Sequence, residues 1–368
     1  MYVDNLGAIA DSRALAKRVV SEWEDLFNPI GLSLHKAEDH GSRGVTLGIE
    51  VDGEELRSGL TPSRFWRLRQ GLSGVLNKNL LSGQKLERLV GHLTFAGLSA
   101  RECLSVFHDC YRYIQKEYDG GGKMWSEVRG ELRTFRGLLP LMASDCWLPY
   151  NEMIYEVDAS DQGWGIASSF WKRSTAKEVG STPERSRFKK EAHSARESAL
   201  SSAGLVRDGN RWRATTLDEE TSMEDWSLNA CFEEVPWQLL RAGAWRTVCS
   251  GRWCRKEKIV VLEARALVKA MRRFSRTRFG AYARQVFLSD NMGVVLSFSR
   301  CRSRDFDLLV QIRRFCSYCL ALNIKACVRW IPSELNESDK GSRLGTSESK
   351  VLTYALEERL ARLSDPPS

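Results

Sequence analysis

Histidine is scarce in this chain, five in 368 residues, and the five are dispersed, which argues against a histidine-rich zinc site. Ten cysteines are present, but they lack the spacing of a disulfide framework and no secretory leader precedes them. Free thiols in an intracellular compartment, cytoplasmic or nuclear, are therefore the expectation. The pair Cys316-x-x-Cys319 has no second pair nearby and falls inside the helical pattern LLVQIRRFCSYCLAL, so it reads as two buried thiols. No run of about 18 apolar residues occurs, so neither a helical membrane span nor a membrane partner is expected. No internal repeat is visible.

What is present is enough apolar sequence for real cores. With 42% hydrophobic and 28% charged residues, the length suits two or three domains. A net charge of +8 favours polyanionic partners, because phosphate backbones attract Lys and Arg regardless of sequence.

Periodicity organises the chain. Residues 12–28 predict an amphipathic helix behind a Ser12 cap, and GLSLHKAED and GVTLGIEVDG read as short strands. Helical patterns with Ser and Thr caps then run to residue 118, a Gly-Gly-Gly at 120–122 punctuates them, and one more helix reaches Pro140. A boundary is expected near 150. Beyond it, MIYEVDAS reads as a strand ending at Asp158 and GWGIASSFW as a second strand. Residues 172–236, basic and then acidic, read as an insertion, partly disordered or laid on the surface. Order returns with AWRTVCSGRW (strand), IVVLEARALVKAMRRF (helix), ARQVFLSD (strand), DLLVQIRRFCSYCLALN (helix), IKACVRWIP (strand) and a terminal helix through TYALEERLARL. The back half is thus a mixed α/β sheet with helices on its faces.

Four carboxylates occupy positions where such sheets place functional groups. Asp158 and Asp290 end strands, Glu263 faces inward near a helix start, and Asp339 lies in the first turn of a helix opened by Asn336. Each has a plain alternative: Asp158 as a turn former, Glu263 as a surface helix residue, Asp290 as an Asx cap and Asp339 as a charge favoured by the helix dipole. Together, four acids on one side of a sheet repel one another, and a divalent metal pair is the natural counter-charge. Hard oxygen ligands suit two Mg²⁺ ions, or Mn²⁺.

The four segments VDASDQGWGIA, VLEARAL, FLSDNMGVV and WIPSELNESDKGSR resemble, in that order, the catalytic segments of retroelement ribonuclease H domains of DIRS-like and gypsy-type elements. The resemblance implies that Asp158, Glu263, Asp290 and Asp339 are metal ligands and that the reaction cuts RNA in an RNA–DNA hybrid. Retroviral relatives carry a His ahead of the last Asp; here that segment shows Ser333-Glu334. Arg272, Arg273, Arg276 and Arg278, with Arg300, Arg302 and Arg304, are candidate phosphate contacts, or equally a solvated basic face at helix ends. Ser289 and Asn291 flank Asp290 and are candidates for bonding a ribose 2′-OH.

The front half resembles a reverse transcriptase cut short. Tyr2-x-Asp4-Asn5 is similar to the Tyr-x-Asp-Asp box of the polymerase palm, Lys36 to a residue of the next palm motif, and VTLGIEV to the primer-grip hairpin, with Leu47 where an aromatic is usual. The resemblance implies a partial palm at 1–60, thumb and connection at 61–150, a ribonuclease H-like domain at 151–346 and a C-terminal helix and tail at 347–368. With Asn at position 5, no third acid and no fingers, DNA synthesis by this chain as given is not expected, and an upstream polymerase region is the expected missing partner. The alternative of another class is a non-catalytic nucleic-acid-binding remnant.

Overall fold

A computed structural model describes residues 7–31, 39–190, 205–208, 211–214, 226–241 and 243–343. Tyr2, Asp4, Asn5, Lys36, most of GLSLHKAED and the terminal helix lie outside them. Helix α1 (Arg13–Phe27) starts where Ser12 Oγ accepts the Leu15 N–H, and it buries none of its own residues among those described.

The stretch GVTLGIEV, a strand by its periodicity and a hairpin by its resemblance, is a hairpin. Leu47 and Gly48 both take positive φ, 51° and 77°, the geometry of a tight two-residue turn, so β1 (Arg43–Thr46) folds back on β2 (Ile49–Asp52). Strand β3 (Arg57–Leu60) continues the meander.

Four helices follow: α2 (Pro62–Leu76), α3 (Gly83–Gly97), α4 (Asp109–Lys116) and α5 (Ser126–Leu138). Leu68, Leu72 and Leu76 recur every fourth residue on α2, and they pack with Leu86, Val90 and Leu93 of α3 and Val128, Leu132 and Phe135 of α5. Strand β4 (Ala143–Asp145) then returns to pair with β3, closing a four-stranded sheet.

The back half builds one five-stranded sheet from β5 (Met153–Ala159), β6 (Gly163–Phe170), β7 (Arg246–Arg252), β8 (Ala283–Ser289) and β9 (Ile324–Trp330). Spatial order is β7-β6-β5-β8-β9, antiparallel across the first three and parallel across the last three. Between the strands run α6 (Arg173–Ser181), α7 (Ile259–Phe274), α8 (Met292–Arg300), α9 (Phe306–Leu322) and, after β9, the short α10 (Asp339–Arg343). Apart from α6 and α8, this follows the order read from the sequence.

Strand alternation divides the sheet's side chains between two cores. Tyr155, Val157 and Phe287 meet Leu267, Phe274 and Phe315 of α7 and α9 on one face. On the other, Ile154, Ala167, Val286 and Leu288 are covered by Ala176 and Val179 of α6 together with Val235, Leu240 and Trp245. The stretch read as a surface-laid insertion therefore supplies the second layer at both of its ends. Phe188–Lys190 pairs with Trp226–Leu228, so the chain leaves and rejoins the domain at one place.

Two of the charges that made this stretch look solvated, Glu184 and Arg187, are paired in the interior, while Lys172, Arg173, Lys177, Glu178, Arg185 and Lys189 are exposed. Glu184 is fully buried and accepts from Arg187 Nε (2.7 Å), Arg329 Nε (3.0 Å) and the Trp330 N–H (2.8 Å). Arg187 also pairs with Glu234, and Arg329 donates to the carbonyls of Val179 and Glu233. A similar joint ties the helical unit to the sheet. Glu131 of α5 accepts the N–H groups of His108, Asp109 and Cys110 at the start of α4, and a 2.9 Å bond from Arg313 of α9. Among the described residues, no helix is long and apolar enough to cross a membrane.

Candidate active site

Parallel pairing of β5 with β8 aligns Val157 with Ser289, so the next residues, Asp158 and Asp290, emerge side by side at the strands' carboxyl ends. Helix α7 starts at the same edge and brings Glu263 in its second turn. One oxygen each of Asp158, Glu263 and Asp290 lie within 4.8 Å of one another. Asp158 and Glu263 are 6% and 5% exposed, while Asp290 is half-buried.

Asp339 lies across a cleft of about 740 Å³ that is also lined by Asp158, Asp290, Ser333, Glu334 and Arg343. It stands apart from the three-acid cluster and pairs with Arg343 at 2.8 Å. Arg343 went unnoticed in the sequence; an Asp followed four residues later by Arg within a helix start is the signal that could have found it.

The electrostatics are those of an uncompensated anionic site. Burial, then the charges of Asp158 and Asp290, push the Glu263 carboxyl up to about 9 against a single backbone hydrogen bond from Ala159. Burial pushes Asp158 up to about 6; Asp290 and Asp339 add to the shift, while Ser342 and Arg343 oppose it. Glu263 Oε2 is buried with no hydrogen-bond partner among the described residues. A buried carboxylate oxygen without a donor, facing two more carboxylates, fits a hard divalent cation.

A further buried acid beside the cluster, Glu156, was missed. It sits two residues before Asp158 on the same strand face, is fully buried, and accepts the Glu337 N–H at 3.1 Å through Oε2 while Oε1 has no partner among the described residues. Burial pushes it up to about 9. The alternation Ile154-Glu156-Asp158 in MIYEVDA was the available signal.

Glycines set the position of Asp339. A Cβ on Gly165 would meet the Ser338 carbonyl oxygen at 2.3 Å and the Ser342 nitrogen at 2.8 Å, so α10 lies directly on the β6 backbone. Asn336 holds the preceding loop by donating to the Val157 carbonyl and accepting from Ser338. Gly165→Ala is expected to lift α10 off the sheet. Stability should fall by about 1–3 kcal/mol and the melting response to Mn²⁺ should weaken, both read by thermal denaturation with and without the ion.

Of the other candidates, Ser289 and Asn291 flank Asp290 with structural bonds of their own, and the arginines lie farther off. Asn291 caps α8 by accepting the Val294 N–H, and Ser289 is fully buried with its hydroxyl accepting the Asn291 N–H. Arg272, Arg273, Arg276 and Arg278 follow Glu263 along α7 and past its end, roughly 14 Å or more from it at 1.5 Å per residue. Arg300, Arg302 and Arg304 are at and beyond the far end of α8, away from Asp290. Three of the four predicted acids converge, while Asp339 faces them across the cleft and the arginines do not join them.

No family model and no curated protein matches the chain. Among solved structures it is similar to a foamy viral protease-reverse transcriptase in complex with RNA/DNA hybrid, at 11% identity and a TM-score of 0.26, over 93% of this chain and 57% of that one. It is also similar to the dRH form of that protein in complex with ds DNA, at 12% identity and a TM-score of 0.30, over 87% of this chain and 44% of that one. The chain spans about half the length of the solved chains it matches.

Proposed function

We propose that this chain is a metal-dependent nuclease of the ribonuclease H type that hydrolyses the RNA strand of an RNA–DNA hybrid. In the same reading it is a piece of a retroelement polyprotein, with partial palm at 1–60, thumb and connection at 61–150, nuclease at 151–346 and a C-terminal helix and tail at 347–368. The observation that carries the proposal is the meeting of three carboxylates from three separate elements, with an unpartnered Glu263 oxygen among them.

Asp158, Glu263 and Asp290 would hold the metal, with Asp339 joining from across the cleft. Bound there, a pair of Mg²⁺ or Mn²⁺ ions supplies activation of an attacking water and neutralisation of charge at the leaving oxygen. The chain's own part is to hold Asp158, Asp290 and Asp339 on the walls of one cleft, with Glu263 beside Asp158 and Asp290 and with Ala159, Ser160, Ile259 and Ser333 also in the lining. Arg343, which lines the cleft and pairs with Asp339, tempers the repulsion a phosphate would meet.

The test is incubation of the purified chain with a labelled RNA–DNA hybrid, with and without Mg²⁺, beside the Asp290→Asn variant. Cleavage that needs both Mg²⁺ and Asp290 is the expected result. No cleavage, or equal cleavage by the variant, would overturn the enzyme reading in favour of a non-catalytic nucleic-acid-binding remnant.

A further inference from the structure

A second group of chemistry-bearing residues lies at the opposite end of the sheet from the acids. Between positions 272 and 284 the chain carries five arginines and no acid. The turn that follows α7 packs tightly around Gly280, where a Cβ would sit 2.3 Å from the Phe274 carbonyl oxygen. Thr277 N–H and hydroxyl both donate to that same carbonyl, and the Gly280 N–H donates to Thr277. A turn fixed in this way leaves its large side chains outside: Arg276 and Arg278 are exposed, Phe279 is 56% exposed and Tyr282 60%. Arg278 lies over the Phe279 ring at 4.5 Å.

Tyr282 holds a positive φ of 52°, a conformation a bulky residue rarely adopts, and it is held there by its N–H bond to Leu322. The result is an exposed ring laid 15° from parallel to Trp147, with centroids 6.4 Å apart. Trp147 is itself half-exposed and comes from the linker before β5. That linker is fixed: Arg284 exchanges backbone bonds with Pro149 and Asn151, and its guanidinium donates to the carbonyls of Leu148 and Cys146. The nearby acid, Asp145, is engaged by Arg57 and Asn323.

Exposed aromatic faces interleaved with arginines, on rigid backbone, are what binds unpaired bases: every base offers a π-face to the rings and every phosphate a charge to the guanidinium groups. We propose that Trp147, Phe279 and Tyr282, with Arg276 and Arg278, form a binding site for single-stranded nucleic acid. The seven residues of β8 separate it from Asp290, roughly 25 Å at 3.3 Å per residue, so it is a site distinct from the cleft. Duplexes, whose bases are already stacked, bind there weakly.

The probe is a fluorescein-labelled oligothymidylate of about 20 nucleotides, followed by fluorescence anisotropy with the whole chain in EDTA. Trp147→Ala/Tyr282→Ala should weaken binding by about tenfold for each ring lost. Trp147→Phe/Tyr282→Phe should largely restore it, and Asp290→Asn should bind like the parent. Ultraviolet cross-linking of the unaltered chain should place the oligonucleotide on Trp147, Phe279 or Tyr282. Cross-links confined to other residues, an alanine pair that binds like the parent, or blunt duplex DNA competing as well as the single strand would each overturn the proposal. Because the assay uses neither metal nor cleavage, it stands or falls separately from the nuclease reading.

Discussion

Replacing Asp290 by Asn is expected to stabilise the metal-free protein while abolishing hybrid cleavage. Asp290 contributes to the raised values of Glu156, Asp158 and Glu263 alike, so its charge is the common source of repulsion in the site. An acid whose folded value lies above its unfolded one keeps its proton longer in the native state. The stability it lends is fully present below the unfolded value near 4 and is lost as pH rises through the folded value, here about 6 for Asp158 and about 9 for Glu156 and Glu263. For Asp158 alone the loss is about 3 kcal/mol. In EDTA the melting temperature of the parent should therefore fall between pH 4 and pH 9, and that of Asp290→Asn should fall less. Adding Mg²⁺ should raise the parent's melting temperature at pH 8 and leave the variant's nearly unchanged, and hybrid cleavage by the variant should drop by more than about 100-fold. A variant that melts below the parent in EDTA, or that keeps the full metal response, contradicts this account of the cluster.

Glu184→Ala should have the largest effect on folding. The substitution strands Arg329, 1% exposed, and leaves Arg187, 3% exposed, with Glu234 alone. Breaking one partner out of a buried ion network typically costs about 3–5 kcal/mol, because the remaining charge stays in the interior without compensation. The damage also has a route to the cleft. Glu184 accepts the Trp330 backbone N–H, and the Trp330 indole donates to the Asp290 carbonyl at 2.9 Å. The expected result is a large drop in the urea midpoint together with a weaker melting response to Mn²⁺. Unfolding within about 0.5 kcal/mol of the parent, the range of an ordinary surface substitution, would show that the network contributes little.

The same network shows where reading the sequence stops. The strand and helix order of the back half is legible because period-2 stretches such as MIYEVDA alternate with period-3.6 stretches such as VVLEARALVKAM, and Asp158 and Asp290 stand at the ends of their strands. Residues 173–190 misled because Lys, Arg and Glu are usually solvated, and nothing local reveals that Glu184 finds Arg329 across the sheet. Periodicity alone read GVTLGIEVDG as a strand because Leu is a poor marker of positive φ; the hairpin turn at Leu47-Gly48 was expected only from the resemblance of VTLGIEV to the primer-grip hairpin. Proximity in sequence also misled: Arg272 to Arg278 follow Glu263 closely, yet the helix carries them to the other end of the sheet. Asp339 was placed by glycine contacts between α10 and β6, a tertiary fact that the pattern Gly-Trp-Gly only hints at.

The most direct test of the nuclease reading is the chemistry at the cut. A hybrid digested in Mg²⁺ and ¹⁸O-water, with the RNA products weighed by mass spectrometry, should yield an intact DNA strand and RNA ends bearing a phosphate monoester with one oxygen from solvent. Cyclic phosphate ends, which mean attack by the ribose 2′-OH rather than by water, or equal cutting of free single-stranded RNA, would contradict it.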